Sequence, residues 1–388
     1  MKKSRSFTLI ALILVFSMIL AACGMRPETA EVETTPEPAV QVSPTPAAAV
    51  DATAEPTAEP TAEPTPTPTP EPTPEPKPLL NPLTGETVEK DYSKTRPVAV
   101  MIENNYVLGG PPIPMYGINE ADILYEMQVE KITRCMALFM DVADAPQLCP
   151  VRSARTYFVG TALAYDAIYV HRGQSAEGVD FAGVTLGEHY TDNDDIDLEE
   201  SNSFKIEAYP NTGEHGLCTN GELLSQHFEA ANVRTEHKTD TFDYGLRFSA
   251  DAKAEGEAAN SVRIVFPEFK ITKFTYDEAK NGYVGVNFDQ PWIDKNTGEV
   301  GAFQNLLILD APTQIALDMK WHSSIKLIDQ EGKGYYCNGG SYEPITWKRG
   351  AITEPFRYYD ADGNELELSI GRTYIGIMSL ALGGVTFG

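Results

Sequence analysis

Arg152-Ser153-Ala154-Arg155 carries the most concentrated chemistry in the chain. Two guanidinium forks three residues apart flank a hydroxyl immediately ahead of a predicted helix. Forks, hydroxyl and the free N–H groups of a helix entrance can then converge on a carboxylate or phosphate. The same arginines have a second use, pairing with internal acids such as Glu126, Glu130 or Asp166. Both readings stay open on sequence alone. Glu126 and His171, in predicted strand segments, and Arg134 complete a candidate ligand-binding set with Arg152, Ser153 and Arg155.

Other constellations carry less. His171 ends a predicted strand and is followed by Gly173 and Ser175, but the spacing has one residue too many for a hydrolase nucleophile elbow, and Glu177 stands where a glycine is needed. His215 with Cys218 has no orienting third group in view. Asp192, Asp194, Asp195 and Asp197 read as a solvated acidic loop, because a calcium-binding hand needs glycine and glutamate where Asp197 and Ser203 stand. No phosphate loop or dinucleotide glycine pattern occurs, and the histidines show no close pair at helical ligand spacing. The expectation is therefore no cofactor and no metal, no assigned catalytic residue, and an enzymatic role left open with the balance against it.

Composition narrows the partners. The 388 residues hold 30 Lys plus Arg against 56 Asp plus Glu, a net charge of -26 that repels phosphate polymers and argues against nucleic acid. At 42% apolar the chain has material for a substantial core. Five cysteines are too few for a disulfide scaffold. Cys135 and Cys337, inside apolar and aromatic runs, read as small buried hydrophobes, and if any pair bridges it is Cys149 with Cys218.

The amino terminus supplies an address. Lys2, Lys3 and Arg5 precede an apolar run from Phe7 to Leu20, shorter than the ~20 residues of a spanning helix, so residues 1–22 read as an export signal. Leu20-Ala21-Ala22-Cys23 resembles a bacterial lipobox, which makes Cys23 the attachment point for a diacylglycerol and palmitate-type acyl anchor. Residues 23–78 hold tandem Thr-Ala-Glu-Pro units and almost no large apolar side chains, so they cannot bury a core. Extended as polyproline II at ~3.1 Å per residue, this segment reaches ~170 Å. The expected partner is the membrane, and the expected location its outer face, on a Gram-positive cell with a thick wall for the stalk to cross.

Residues 79–388 are the folded part. Val98 to Ile102 is an apolar strand, Ile123, Tyr125, Met127 and Val129 alternate, and Met136 to Met140 is a buried run. Ala154 to Ala164 has a helical face and leads into a strand from Ala167 to His171. Thr219 and Glu222 have capping-box spacing ahead of a second helix. Beyond Gly245, strands are expected at 262–266, 283–288, 306–309, 325–328, 335–337, 345–347 and 374–378, with a hairpin turn at Asp360-Ala361-Asp362-Gly363. The fold class is α+β: an amino-terminal α/β half with a mixed sheet (79–240) and a carboxy-terminal, predominantly antiparallel β region (241–388).

These segments resemble a family. Arg96-Pro97-Val98-Ala99-Val100-Met101-Ile102, Glu120-Ala121-Asp122-Ile123-Leu124-Tyr125-Glu126, Pro150-Val151-Arg152-Ser153-Ala154-Arg155 and Tyr165-Asp166-Ala167-Ile168-Tyr169-Val170-His171 are similar to successive blocks of the YerB-like bacterial lipoproteins. Asn81-Pro82-Leu83-Thr84-Gly85 and Gly371-Arg372-Thr373-Tyr374-Ile375 extend the resemblance over nearly all of 79–388. It implies an exported, lipid-anchored α+β protein, with no established activity attached. The chain departs from the family pattern at Cys149, where the family has Gly, within His171-Arg172-Gly173-Gln174-Ser175-Ala176, where the family has His-Ala-Gly-Gly-Ser-Pro, and within His215-Gly216-Leu217-Cys218-Thr219-Asn220, where it has His-Asn-Leu-Tyr-Thr-Ser. This implies altered pocket chemistry if those blocks line one pocket. The functional expectation is an envelope interaction or accessory protein. The alternatives are a binder of a small anionic or wall-derived ligand, and a hydrolase or transferase acting on envelope polymers.

Overall fold

Strand β1 (Val98–Asn104) is buried along all seven residues, and so is β2 (Ile123–Val129), because both faces of the sheet they belong to are covered. The alternation expected of a half-exposed strand instead divides side chains between two cores. Ala99, Met101, Ile123, Tyr125 and Met127 point into one core, whereas Val98, Val100, Ile102 and Leu124 point into the other.

The computed structural model describes residues 78–106, 111–176, 180–199, 202–205, 216–267, 270–316 and 322–388. The export signal, Cys23 and the Pro-rich segment lie outside the described residues, as does His215. Among the described residues the protein is mainly β with three α-helices: α1 (Thr156–Leu163), α2 (Ala182–His189) and α3 (Gly221–Ala231). None of these helices is long and apolar enough to cross a membrane.

The remaining strands used below are β3 (Ile132–Phe139), β4 (Ile168–His171), β5 (Asp195–Asp197), β6 (Ser261–Val265), β7 (Ile271–Asp277), β8 (Gly282–Asn287), β9 (Asn305–Asp310), β10 (Gln330–Asn338), β11 (Ser341–Arg349), β12 (Thr373–Met378) and β13 (Gly384–Phe387). The large mixed sheet runs β11, β10, β9, β12, β2, β3, β1, β4, β5, with the short strand Glu257–Ala258 on its outer edge. Strands from both halves of the chain thus share it. β12 lies parallel to β9 on one side and to β2 on the other, and β4 lies parallel to both β1 and β5. A second, antiparallel sheet contains β8, β7, β6 and β13.

One face of the large sheet is covered by α1, whose residues 157–163 are all buried. The other face packs against the second sheet through Val262, Ile264, Phe274, Tyr283 and Trp292, and against Leu224 of α3.

Several local expectations shift. The cap of α3 is Asn220, whose side chain accepts from the Leu223 N–H at 2.8 Å, one residue after the expected Thr219. Thr219 instead donates its hydroxyl to the Asn202 carbonyl at 2.9 Å. The acidic run is not simply solvated: Asp195–Asp197 is β5, and Asp194 is buried 2.7 Å from the Arg96 guanidinium. The 360–363 turn forms with Gly363 at φ +86°, and the Asp360 carboxylate accepts from the N–H groups of Asp362 and Asn364. The return arm pairs briefly with Tyr358 and then runs parallel to Phe248–Ser249. Cys149 and Cys218 are joined by a disulfide, whereas Cys135 and Cys337 are free and buried.

Candidate functional site

The carboxyl ends of the parallel strands β1, β2 and β4 lie at one edge of the large sheet, and the chain returns there through residues 149–155 before entering α1. The Arg152 N–H donates to the Met101 carbonyl at 3.0 Å and the Ala154 N–H to that of Gly173 at 2.9 Å, which stitches this segment between β1 and the loop after β4. Polar groups collect at this edge because the strands end and the loops between them leave a crevice.

Three buried arginines meet there, and acids face each of them. Arg152 Nε lies 2.7 Å from Glu103 Oε2. Arg134 donates to the Ser153 carbonyl at 2.9 Å and reaches to 4.0 Å of Glu130, on the turn between β2 and β3. Arg155 pairs with Glu130 through Nη2 and Nε and lies 3.4 Å from Asp180. Burial and the neighbouring Arg155 charge bring the Arg134 guanidinium down to about 10. For Arg155 burial also acts downward, but the Glu130 carboxylate outweighs it and the group is raised.

The entrance of α1 is occupied by an anion from the chain itself. Asp180 Oδ1 accepts from the Thr156 N–H at 2.8 Å and from the Thr156 hydroxyl at 2.5 Å. A carboxylate placed there interacts favourably with the helix dipole and the free N–H groups of the first turn. The Arg155 fork and the helix entrance thus meet on the Asp180 carboxylate, and the hydroxyl that joins them is that of Thr156 rather than of Ser153.

Beside these pairs opens a recess of about 390 Å³ lined by Glu130, Ser153, Arg155, Gln174, Ser175, Ala176 and His322. Ser175 is only 5% exposed, yet its hydroxyl has no hydrogen-bond partner among the described residues. A buried hydroxyl left unpaired costs free energy, so a native one calls for an explanation. Gly183 of α2 makes room for Gln174, since a Cβ at Gly183 would come within 2.6 Å of Gln174 Nε2.

Of the candidate residues, Arg134, Arg152, Ser153 and Arg155 are brought together. His171 stands one strand over: its Nδ1 donates to the Gly173 carbonyl at 2.8 Å and its Nε2 faces Asp195 at 2.7 Å. Glu126 belongs to the opposite face of the sheet. There it accepts from Asn104 at 2.9 Å, Thr133 at 2.6 Å, Thr272 at 2.9 Å and Tyr374 at 2.8 Å. Sequence reasoning missed Asp180, Gln174 and His322. Asp180 and His322 reach the site across long sequence separations and carry no local spacing signal, whereas Gln174 is visible only as a polar residue in the turn after β4.

Residues 83–234 match the N-terminal domain, and residues 262–375 the C-terminal domain, of a family described as protein of unknown function (DUF3048). The chain is 29% identical over 303 residues to YerB of Bacillus subtilis (strain 168), a provisionally named lipoprotein, and the match covers 76% of this chain and 85% of that one. The crystal structure of the YerB protein from Bacillus subtilis superposes with a TM-score of 0.65 at 25% identity, covering 79% of this chain and 99% of that one.

Proposed function

The chain belongs to the YerB-like family of unknown function, and from that premise we propose that it is a lipoprotein of the outer membrane face, anchored through Cys23 and carried on the 23–78 stalk, whose folded part is an accessory protein that binds a small polar, wall-derived ligand. The observation that carries the binding reading is the Ser175 hydroxyl, buried and without a hydrogen-bond partner among the described residues at the wall of a polar recess. In its lining the Arg155 guanidinium is paired with the Glu130 carboxylate, so the recess offers directional hydrogen bonds without a surplus of positive charge. A simple inorganic anion gains little from such a lining. A hydroxyl- and amide-rich fragment of the cell wall finds donors in Arg155 and Gln174 and both donor and acceptor in Ser153 and Ser175. The stalk length and the lipobox support placement within reach of the wall, in keeping with a Gram-positive host.

Equilibrium binding of soluble wall fragments to the purified protein tests this, with inorganic phosphate as the comparison. Gln174 is exposed, so Gln174→Ala leaves the fold intact and removes one neutral hydrogen bond, weakening binding about threefold to tenfold. Binding of phosphate alone, or of no fragment, would remove the proposal.

A further inference from the structure

On the other face of the large sheet, an amine, a primary amide and a carboxylate are packed together away from water. Lys270, immediately before β7, is 2% exposed, and its ammonium nitrogen hydrogen-bonds the Asn287 side-chain carbonyl oxygen. The same nitrogen donates to the Thr272 hydroxyl at 2.9 Å and lies 3.4 Å from Glu126 Oε1. Asn287 ends β8 and is 5% exposed; its Nδ2 donates to Asn104 Oδ1 at 2.6 Å, and Asn104 in turn donates to Glu126 at 2.9 Å. Aromatic rings close the group off. The Phe288 centroid is 4.5 Å and the Trp292 centroid 6.0 Å from the lysine nitrogen, and Tyr374, which donates to Glu126, packs on Phe274 with ring centroids 4.7 Å apart. Phe288 holds its ring there from a left-handed backbone conformation, φ +50°, that a bulky side chain seldom adopts.

We propose that Lys270 and Asn287 are joined by an intramolecular amide bond, formed by the protein itself with Glu126 as the proton carrier. The neutral lysine amine attacks Cγ of Asn287. The Nζ–Cγ bond forms and the Cγ–Nδ2 bond breaks. The Glu126 carboxylate takes the proton released from Nζ and delivers one to Nδ2, which departs as ammonia. An amine and a primary amide become a secondary amide and ammonia, with no oxidant and no outside reagent.

Three features support the chemistry beyond proximity. Burial pulls the Lys270 ammonium down, toward the neutral form that attacks. The low exposure of Lys270, Asn287 and Glu126 beneath these rings limits the water that would compete as nucleophile. The strand register places Thr272 opposite Asn287, and Lys270, two residues earlier at the entry to β7, is thereby held with its side chain against that of Asn287, as an entropically favourable intramolecular reaction requires. The product is a covalent tie across the second sheet that is indifferent to redox conditions, which suits a domain displayed outside the cell.

Tryptic digestion of the denatured full-length protein, read by mass spectrometry, tests the bond. The amide blocks cleavage after Lys270, so the expected species is the 264–273 peptide joined to the 281–295 peptide, lighter than their sum by one ammonia. Cleavage after Lys270 together with a free 281–295 peptide bearing an intact Asn287 overturns the proposal, whether or not any variant folds. Glu126→Gln keeps the shape of the carboxylate without its basicity. Soluble Glu126→Gln protein is expected to yield the separate peptides, and full cross-linking in it would overturn the assignment of Glu126.

Discussion

Arg152 and Glu103 form a buried ion pair, with Nε 2.7 Å from Oε2 and side chains 10% and 0% exposed, at the carboxyl end of the strand that leads into the recess. A carboxylate enclosed to this degree depends on its cationic partner, because the desolvation cost of the charge remains when the partner is removed. Arg152→Ala is therefore expected to lower stability by about 3–5 kcal/mol. Chemical denaturation measures it, and a loss within experimental error of zero would mean that Glu103 is held by other groups.

The disulfide fastens the arginine-bearing segment to the short strand Leu217–Cys218 ahead of α3. Cys149 and Cys218 are 69 residues apart in sequence, and tying a loop of that length restricts the unfolded chain by about 4 kcal/mol in the chain-entropy account. Cys149→Ser with Cys218→Ser should lower the denaturation midpoint correspondingly, and the wild type under reducing conditions should follow it. An unchanged midpoint in both would show that the bridge adds nothing to stability.

Acid sensitivity is expected from Asp166. Burial acts upward on its carboxyl, but hydrogen bonds from His237 and Arg234 and the Arg96 charge outweigh it and hold the group below the usual carboxylate range. A carboxyl depressed in the folded state stabilises the protein above its unfolded pKa, and that contribution fades as pH falls below about 4 toward the folded value. The pH profile of stability should thus decline in this range and be shallower in Asp166→Asn. Parallel profiles for the two proteins would contradict this placement of the charge.

The two halves of the folded part are expected to depend on one another. β2 pairs with β12 from residue 123 to 127, so an isolated 79–240 fragment exposes a long parallel edge and the face that carries Leu124 and Glu126. Such a fragment should give a poorly dispersed amide NMR spectrum and recover on co-expression with 241–388. A well-dispersed spectrum from the fragment alone would show that it folds independently.

Strands and the first helix were legible in sequence because their signals are local. The apolar runs at 98–102 and 136–140 and the helical face at 154–164 fall on β1, β3 and α1. Partnerships were not legible. Nothing near Thr373 indicates that β12 will lie between β9 and β2 and bind the halves into one sheet, since parallel pairing across long separations leaves no local periodicity. For the same reason Asp194 read as part of a solvated loop, although Arg96, ninety-eight residues earlier, draws it inside. The arginine cluster was visible as residue types and Glu130 as one of the acids it could pair with, whereas Glu103 of β1 and Asp180 carried no local signal, and only the folded chain collects them.

The most direct test of the proposed binding role is the single substitution Ser175→Ala, measured both for stability and for affinity toward soluble wall fragments. Removing a buried hydroxyl that has no partner among the described residues should leave stability unchanged or raise it by about 1 kcal/mol, while affinity for the fragment falls. Higher or equal thermal stability together with weakened binding is the predicted result. Undiminished binding, or a stability loss comparable to that of Arg152→Ala, would contradict the assignment of Ser175 to a ligand.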